Sequence, residues 1–288
     1  MLPTFLTANG LEFGILEAKP AGLANAPLLL LLHGFPDSAH SFAPILPRLA
    51  DAGFHAVAPF MRGYLPTAIP ADGDYRVSTL ARDVIALIDH LGAEKAVVVG
   101  HDWGAAATYA AAALRPDRIR GVVTAAIPHL RRFLLRPSFA QLGRSRYMAQ
   151  FQRRGIEPGL MANHCAALKA LVQNWSPGMD VNAVLAPVWA AFSEPARLRA
   201  ALGYYRALPA GFVSSELWQL MLAATPVPAL VMHGRQDGCI AAEMFEGQKH
   251  LFAAGMTLKC FENAGHFMHL EAPDEFTDAV LGFCKTLA

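Results

Sequence analysis

The chain has 288 residues, 54% of them apolar and only 16% charged, with 24 basic against 23 acidic side chains. That hydrophobicity excludes disorder and supplies a core that needs no disulfide or metal staple. A net charge of +1 excludes the basic excess of a dedicated nucleic-acid binder.

In chain order, Asn9-Gly10 between two extended runs predicts a β-hairpin. The continuous apolar run Leu28–Leu32 predicts a strand buried on both faces; segments 54–58, 95–99, 119–126, 229–233 and, more weakly, 256–261 repeat its character. Helical patterns lie between them at 41–51, 78–91, 103–114, 241–252 and 273–287. Strands alternating with helices predict an α/β fold with a mostly parallel sheet covered on both faces. The stretch from 129 to 223 breaks that rhythm, with helix-like segments and no strand. It holds ten arginines and one lysine against four acidic residues, a net charge of +7, so the rest of the chain carries −6. The expected organisation is therefore a core part over 1–128, an inserted helical cap over 129–223, and a second core part over 224–288. The arginines read first as a solvated surface and second as an anion-attracting rim.

Cys165, Cys239, Cys260 and Cys284 lie far apart without metal-ligand spacing and read as reduced thiols, so no metal or cofactor is expected. The start of the chain lacks a basic and apolar signal pattern, and no apolar run is long enough to span a bilayer. The expectation is a cytoplasmic protein with no nucleic-acid and no membrane partner. The Ala-rich helix could be core or interface, which leaves a homodimer open.

The chemistry is concentrated in one turn. An apolar strand runs through Gly100-His101-Asp102-Trp103-Gly104 directly into the Ala-rich helix. Glycines on both sides permit a tight strand-to-helix turn that lifts the central side chain above the sheet, at a helix N-terminus. Where esterases carry serine, this chain carries Asp102. A carboxylate nucleophile attacks an sp³ carbon and forms an ester that water can open; the plain alternative is an aspartate that caps the helix.

Together with His33-Gly34-Phe35-Pro36 and Arg62-Gly63-Tyr64, this turn resembles the α/β-hydrolase superfamily, in its aspartate-nucleophile branch of epoxide hydrolases and hydrolytic dehalogenases. The resemblance covers essentially the whole chain and implies an eight-stranded, mostly parallel sheet with an inserted cap. Asp237, after the strand at 229–233, and His266, after the last strand, follow in the expected order of nucleophile, acid and base. His266 would activate water and Asp237 would hold its tautomer; His269 is the nearest rival. The resemblance further implies oxyanion-hole amides at Phe35 and Trp103, and assigns Trp103, Tyr204, His33 and Pro36 to substrate binding.

Epoxide hydrolases of this kind use two cap tyrosines to hold the departing oxygen. Arg146-Tyr147-Met148 and Gly203-Tyr204-Tyr205-Arg206 resemble those segments, which points to Tyr147 and Tyr205, with Tyr204 as the alternative register. Dehalogenase marks are weaker: Phe35 stands where haloalkane dehalogenases carry asparagine, and Trp103 where haloacetate dehalogenases carry arginine. The expected activity is conversion of a small epoxide and water to a vicinal diol. A dehalogenase and a non-catalytic ligand-binding protein are the alternatives.

Overall fold

The computed structural model describes residues 1–23, 25–211 and 214–287. Strands β1 (Thr4–Ala8) and β2 (Leu11–Ala18) form the hairpin, joined by Asn9 and Gly10, both left-handed as a two-residue turn of this kind requires. They lead to β3 (Leu28–Leu32), β4 (His55–Pro59), β5 (Ala96–His101), β6 (Ile119–Ala125), β7 (Ala229–Gly234) and β8 (Met256–Phe261). The spatial order is β1-β2-β4-β3-β5-β6-β7-β8, with the β1–β2 and β2–β4 pairs antiparallel and the remaining pairs parallel.

Alternate strand residues face opposite layers. Leu28, Leu30, Leu32, Val98 and Val122 join one core with α2 (Val77–His90) and α3 (Trp103–Leu114). Leu29, Leu31, Val97, Val99 and Val123 join another with α1 (Leu46–Asp51) and α13 (Pro273–Lys285). Continuous apolar strands are what two covered faces require. The alanines of α3 have small side chains that let it pack closely on β5 and β6, and Ala105, Ala107, Ala110 and Ala111 are fully buried.

Two expected helices are not continuous. The pattern at 41–51 divides into a 3₁₀ turn, Ala39–Phe42, and α1, because Pro44 and Pro47 cannot donate to the preceding turn and Pro47 is tolerated only in the first turn of a new helix. The pattern at 241–252 becomes two 3₁₀ turns, Ala242–Phe245 and Lys249–Leu251, parted by left-handed Gly247. There the buried Gln248 side chain accepts from the His129 amide at 2.8 Å and donates to the Phe245 carbonyl at 3.0 Å. A tertiary bond overrides the local preference.

Between β6 and β7 lie α4 (Leu130–Leu135), α5 (Phe139–Arg144), α6 (Arg146–Phe151), α7 (Glu157–Trp175), α8 (Val181–Val184), α9 (Ala186–Ala191), α10 (Pro195–Gly211) and α11 (Ser215–Leu222). The backbone of α7 leaves the helical region at Ala162 and is left-handed from Asn163 to Cys165. After β8 comes α12 (Met268–Glu271). β3 is flanked by β4 on one side and β5 on the other, so the chain switches direction across the sheet there. Crevices at the carboxyl ends of strands at such a point are where α/β folds gather reactive groups.

Candidate active site

Asp102 has φ +50° and ψ −116°, a strained conformation for a non-glycine residue, and it is 95% buried at the first turn of α3. The flanking glycines make this bend possible. A Cβ on Gly100 would lie 2.3 Å from the Gly104 carbonyl oxygen, and one on Gly104 would lie 2.2 Å from the Leu32 carbonyl oxygen. Gly34, in the loop after β3, approaches just as closely: its Cβ would sit 2.5 Å from Asp102. That approach brings the Phe35 amide to Asp102 Oδ1, to which it donates at 2.8 Å. Trp103 follows at the start of α3, its ring almost wholly buried against Tyr205.

The loops after β7 and β8 bring Asp237 and His266 to the other carboxylate oxygen. His266 Nδ1 donates to Asp237 Oδ2 at 2.9 Å, and Nε2 lies 3.6 Å from Asp102 Oδ2, too far for a hydrogen bond. Asp237 Oδ1 accepts from the amides of Cys239 and Ile240 at 2.6 and 2.9 Å, which fixes the acid's orientation. Burial alone would lower the His266 pKa. The charge and hydrogen bond of Asp237, with the nearby Asp102 carboxylate, overcome it and hold His266 at about 10, while burial pushes Asp102 up and its histidine neighbours bring it below the usual carboxylate value. Both ring nitrogens of His266 thus face carboxyl groups that favour its protonated form.

Tyr147 and Tyr205 come from α6 and α10, with ring centroids 5.8 Å apart. Both line a cavity of about 50 Å³ with Asp102, Trp103, Leu130, Phe133, Leu134, Met148, Leu208, Met221 and Ile240. Among the described residues the buried Tyr205 hydroxyl has no hydrogen-bond partner, and the Tyr147 hydroxyl meets the Cys239 sulfur at 3.5 Å. Burial drives both phenols well above their ordinary pKa, so both keep their protons to donate. A larger cleft of about 910 Å³, lined by Lys19, Asn25, Glu94 and Arg120, opens elsewhere and holds none of these groups.

Three expected substrate contacts are corrected. The Tyr204 hydroxyl donates to the Arg62 carbonyl at 2.8 Å, so adjacent helical tyrosines face different ways and Tyr205 is the one that lines the cavity. His33 accepts from the Met61 amide at 2.9 Å through Nε2, and its Nδ1 lies 3.0 Å from the Gly34 carbonyl, which ties the loop together. Pro36, after a cis peptide bond, shapes that loop and does not line the cavity. His269 is also removed from the reactive centre: its Nε2 is 3.1 Å from Asp37 Oδ2.

Sequence reading missed the groups that hold the loops. The Trp175 carbonyl at the end of α7 accepts from the amides of both Gly238 and His266, at 3.1 and 3.0 Å. Glu271 accepts from the Gly265 amide at 3.0 Å and from the Ser176 hydroxyl at 2.6 Å. By spacing Cys239 reads only as an isolated thiol, although its place two residues after Asp237 is a signal that it belongs near the acid. Two sets, Asp37–His101–His269 and Asp237–Cys239–His266, each bring three potential ligand atoms within 4.8 Å. Hydrogen bonds account for both: Asp37 with His269, Asp237 with His266, and His101 Nε2 donating to the His266 carbonyl at 3.0 Å.

Comparison with known proteins identifies the family. A family model described as the alpha/beta hydrolase fold matches residues 27–273. Epoxide hydrolase A of Mycobacterium tuberculosis is 32% identical over 97% of this chain and 96% of its own length. An AB hydrolase superfamily protein of Bacillus subtilis is 30% identical over 98% of this chain and 97% of its own. The crystal structure of epoxide hydrolase A from Mycobacterium thermoresistibile superposes with a TM-score of 0.82, at 26% identity and 98% coverage of both chains.

Proposed function

The chain belongs to the α/β-hydrolase fold family, and on that premise we propose that it hydrolyses epoxides to vicinal diols through an ester formed on Asp102. The observation that carries this reading is the pair of buried, protonated phenols sharing one cavity with the Asp102 carboxylate. An alkoxide leaving a ring needs donors of that kind. A departing halide does not, which is why the arrangement favours epoxide over alkyl halide.

In the first step Asp102 Oδ2 attacks a ring carbon and the C–O bond of the epoxide breaks. Tyr147 and Tyr205 hydrogen-bond the departing oxygen. Alkylation removes the charge of Asp102, one of the groups that hold a proton on His266, so the imidazolium becomes more acidic and gives up its proton to the alkoxide, leaving a neutral imidazole that can act as a base. In the second step His266 takes a proton from water, and the resulting hydroxide adds to Cγ of the ester. The oxyanion forms at Oδ1, where the Phe35 amide already donates and Trp103 supplies a second amide. Collapse breaks the Cγ–Oδ2 ester bond, the departing alkoxide takes the proton from His266 to complete the diol, and the new Asp102 carboxyl then passes its proton to His266, which restores the carboxylate. Asp237 holds the imidazole tautomer throughout. Helices α4–α11 serve as a cap over residues 129–223 that excludes bulk water, between core parts 1–128 and 224–288.

A single turnover with excess enzyme in ¹⁸O water tests this sequence. The label is expected first in the Asp102 carboxylate, with unlabelled oxygen from Asp102 passing to the diol; label appearing directly in the diol would mean that water attacks the ring. The variant Asp102→Ala is expected to lose at least about 10⁴-fold in kcat.

A further inference from the structure

Three apolar side chains on α4 and α5 stand in solvent: Leu135 at 47%, Leu142 at 54% and Phe139 at 95% exposure. Their outward position is enforced. The Ser138 hydroxyl caps α5 through the Gln141 amide and donates to Glu243 at 2.8 Å. The buried Gln141 side chain bonds the Cys239 carbonyl and the Ala241 amide. One side of α5 is thereby pinned to the core, and Phe139 and Leu142, three apart on the helix, share another.

The same stretch is cationic. Arg131, Arg136, Arg144 and Arg146 are exposed, and Arg153 and Arg154 follow α6. Glu157 and Glu194 pair with Arg199, Arg206 and Arg197, and Asp180 caps α8. Among the described residues, Arg131, Arg136, Arg146, Arg153 and Arg154 have no carboxylate partner. The inner side of α4 meanwhile forms part of the cavity wall through Leu130, Phe133 and Leu134.

We propose that this face docks onto an anionic lipid bilayer and that lipophilic epoxides pass from the bilayer into the cavity beside α4. The inference rests on the epoxide hydrolase reading for the identity of its cargo. Isolated exposed leucines are ordinary, but exposed apolar side chains on a stretch that also carries exposed arginines without carboxylate partners match the interior and the phosphates of a membrane surface together. A second copy is a poorer occupant, since a two-fold contact would set these arginines against themselves. No helix among the described residues is long and apolar enough to cross a membrane, and surface docking requires none. The sequence expectation of no membrane partner rests on the length of apolar runs, which surface docking does not depend on.

The test is co-sedimentation of the full chain with vesicles of phosphatidylglycerol and phosphatidylcholine, against vesicles of phosphatidylcholine alone. Binding is expected to the first, with release by salt. Phe139→Ser combined with Leu142→Ser, and separately Arg131→Glu combined with Arg136→Glu, should each weaken it by about tenfold or more. Both variants should keep wild-type turnover of a water-soluble epoxide, which shows that they fold, and lose turnover of a long-chain epoxide held in the vesicles. Absence of binding, equal binding to both vesicles, or a solution dimer abolished by Phe139→Ser would overturn the proposal. Vesicle binding is read without substrate, so failure of epoxide turnover in the wild type counts against the activity and not against the docking.

Discussion

At the scale of single residues, the neighbouring tyrosines Tyr204 and Tyr205 separate structure from chemistry. The Tyr204 hydroxyl is spent on the Arg62 carbonyl, whereas that of Tyr205 is buried with no partner among the described residues. Tyr205→Phe and Tyr147→Phe are each expected to slow alkylation by about 10²-fold, measured by rapid-quench or tryptophan fluorescence in a single turnover, with little change in ester hydrolysis. Tyr204→Phe should leave alkylation near the wild-type rate. His266 makes a different prediction. Its pKa is about 10 in the folded chain against 6.5 when unperturbed. The stability it contributes is fully present below pH 6.5 and is lost as pH rises through about 10. In Asp102→Asn one of the two flanking charges is gone, so the contribution shrinks and its upper limit moves toward neutrality. Denaturant midpoints followed from neutral to alkaline pH should show a smaller and earlier alkaline loss in the variant; superimposable profiles would rule out the charged triad.

At the scale of elements, the reactive groups sit on loops, and each loop is held by something distant in sequence. The acid loop and the base loop share one acceptor, the Trp175 carbonyl at the end of α7. Gly238 permits that approach: a Cβ there would lie 2.0 Å from the Asn174 carbonyl oxygen, a backbone atom that cannot swing aside. Gly238→Ala should therefore push the acid loop away from α7 and shift Asp237. The expected outcome is a loss of about 1–3 kcal/mol in denaturant unfolding, with ester hydrolysis slowed more than alkylation, because alkylation does not need an oriented base. The same scale explains the two helices that the pattern overestimated. Pro47 and Gly247 interrupt them locally, and the His129–Gln248 bond decides the second, since nothing in 241–252 announces a partner more than a hundred residues earlier.

At the scale of the whole molecule, the inserted helices are tied to the sheet through a buried ion pair. Arg62 donates to both oxygens of Asp83 on α2, at 2.6 and 2.7 Å, and its carbonyl accepts from Tyr204 on α10. Asn9 of the hairpin donates to the same carboxylate at 2.7 Å. Arg62→Met leaves Asp83 charged and uncompensated in the interior, so a destabilisation of about 3–5 kcal/mol is expected in equilibrium unfolding. The double variant Arg62→Met with Asp83→Leu should recover much of it, because the cost comes from the orphaned charge rather than from the missing bond.

The alternation of apolar runs with helical periods specified the α/β class, because burying both faces of a parallel sheet leaves that pattern in any sequence. The glycines at 100 and 104 marked Asp102 for a similar reason: the bend tolerates no other residue there, so composition records geometry. Asp237 and His266 were legible because strand ends gather loops at one edge. The outward turn of Phe139, the removal of Tyr204 and His33 from the cavity, the apolar lining from Leu130 to Ile240 and the grip of Trp175 on two loops were not legible. Each depends on which surfaces meet across long stretches of chain, and the packing that selects among equally apolar or aromatic neighbours exists only once the chain has folded.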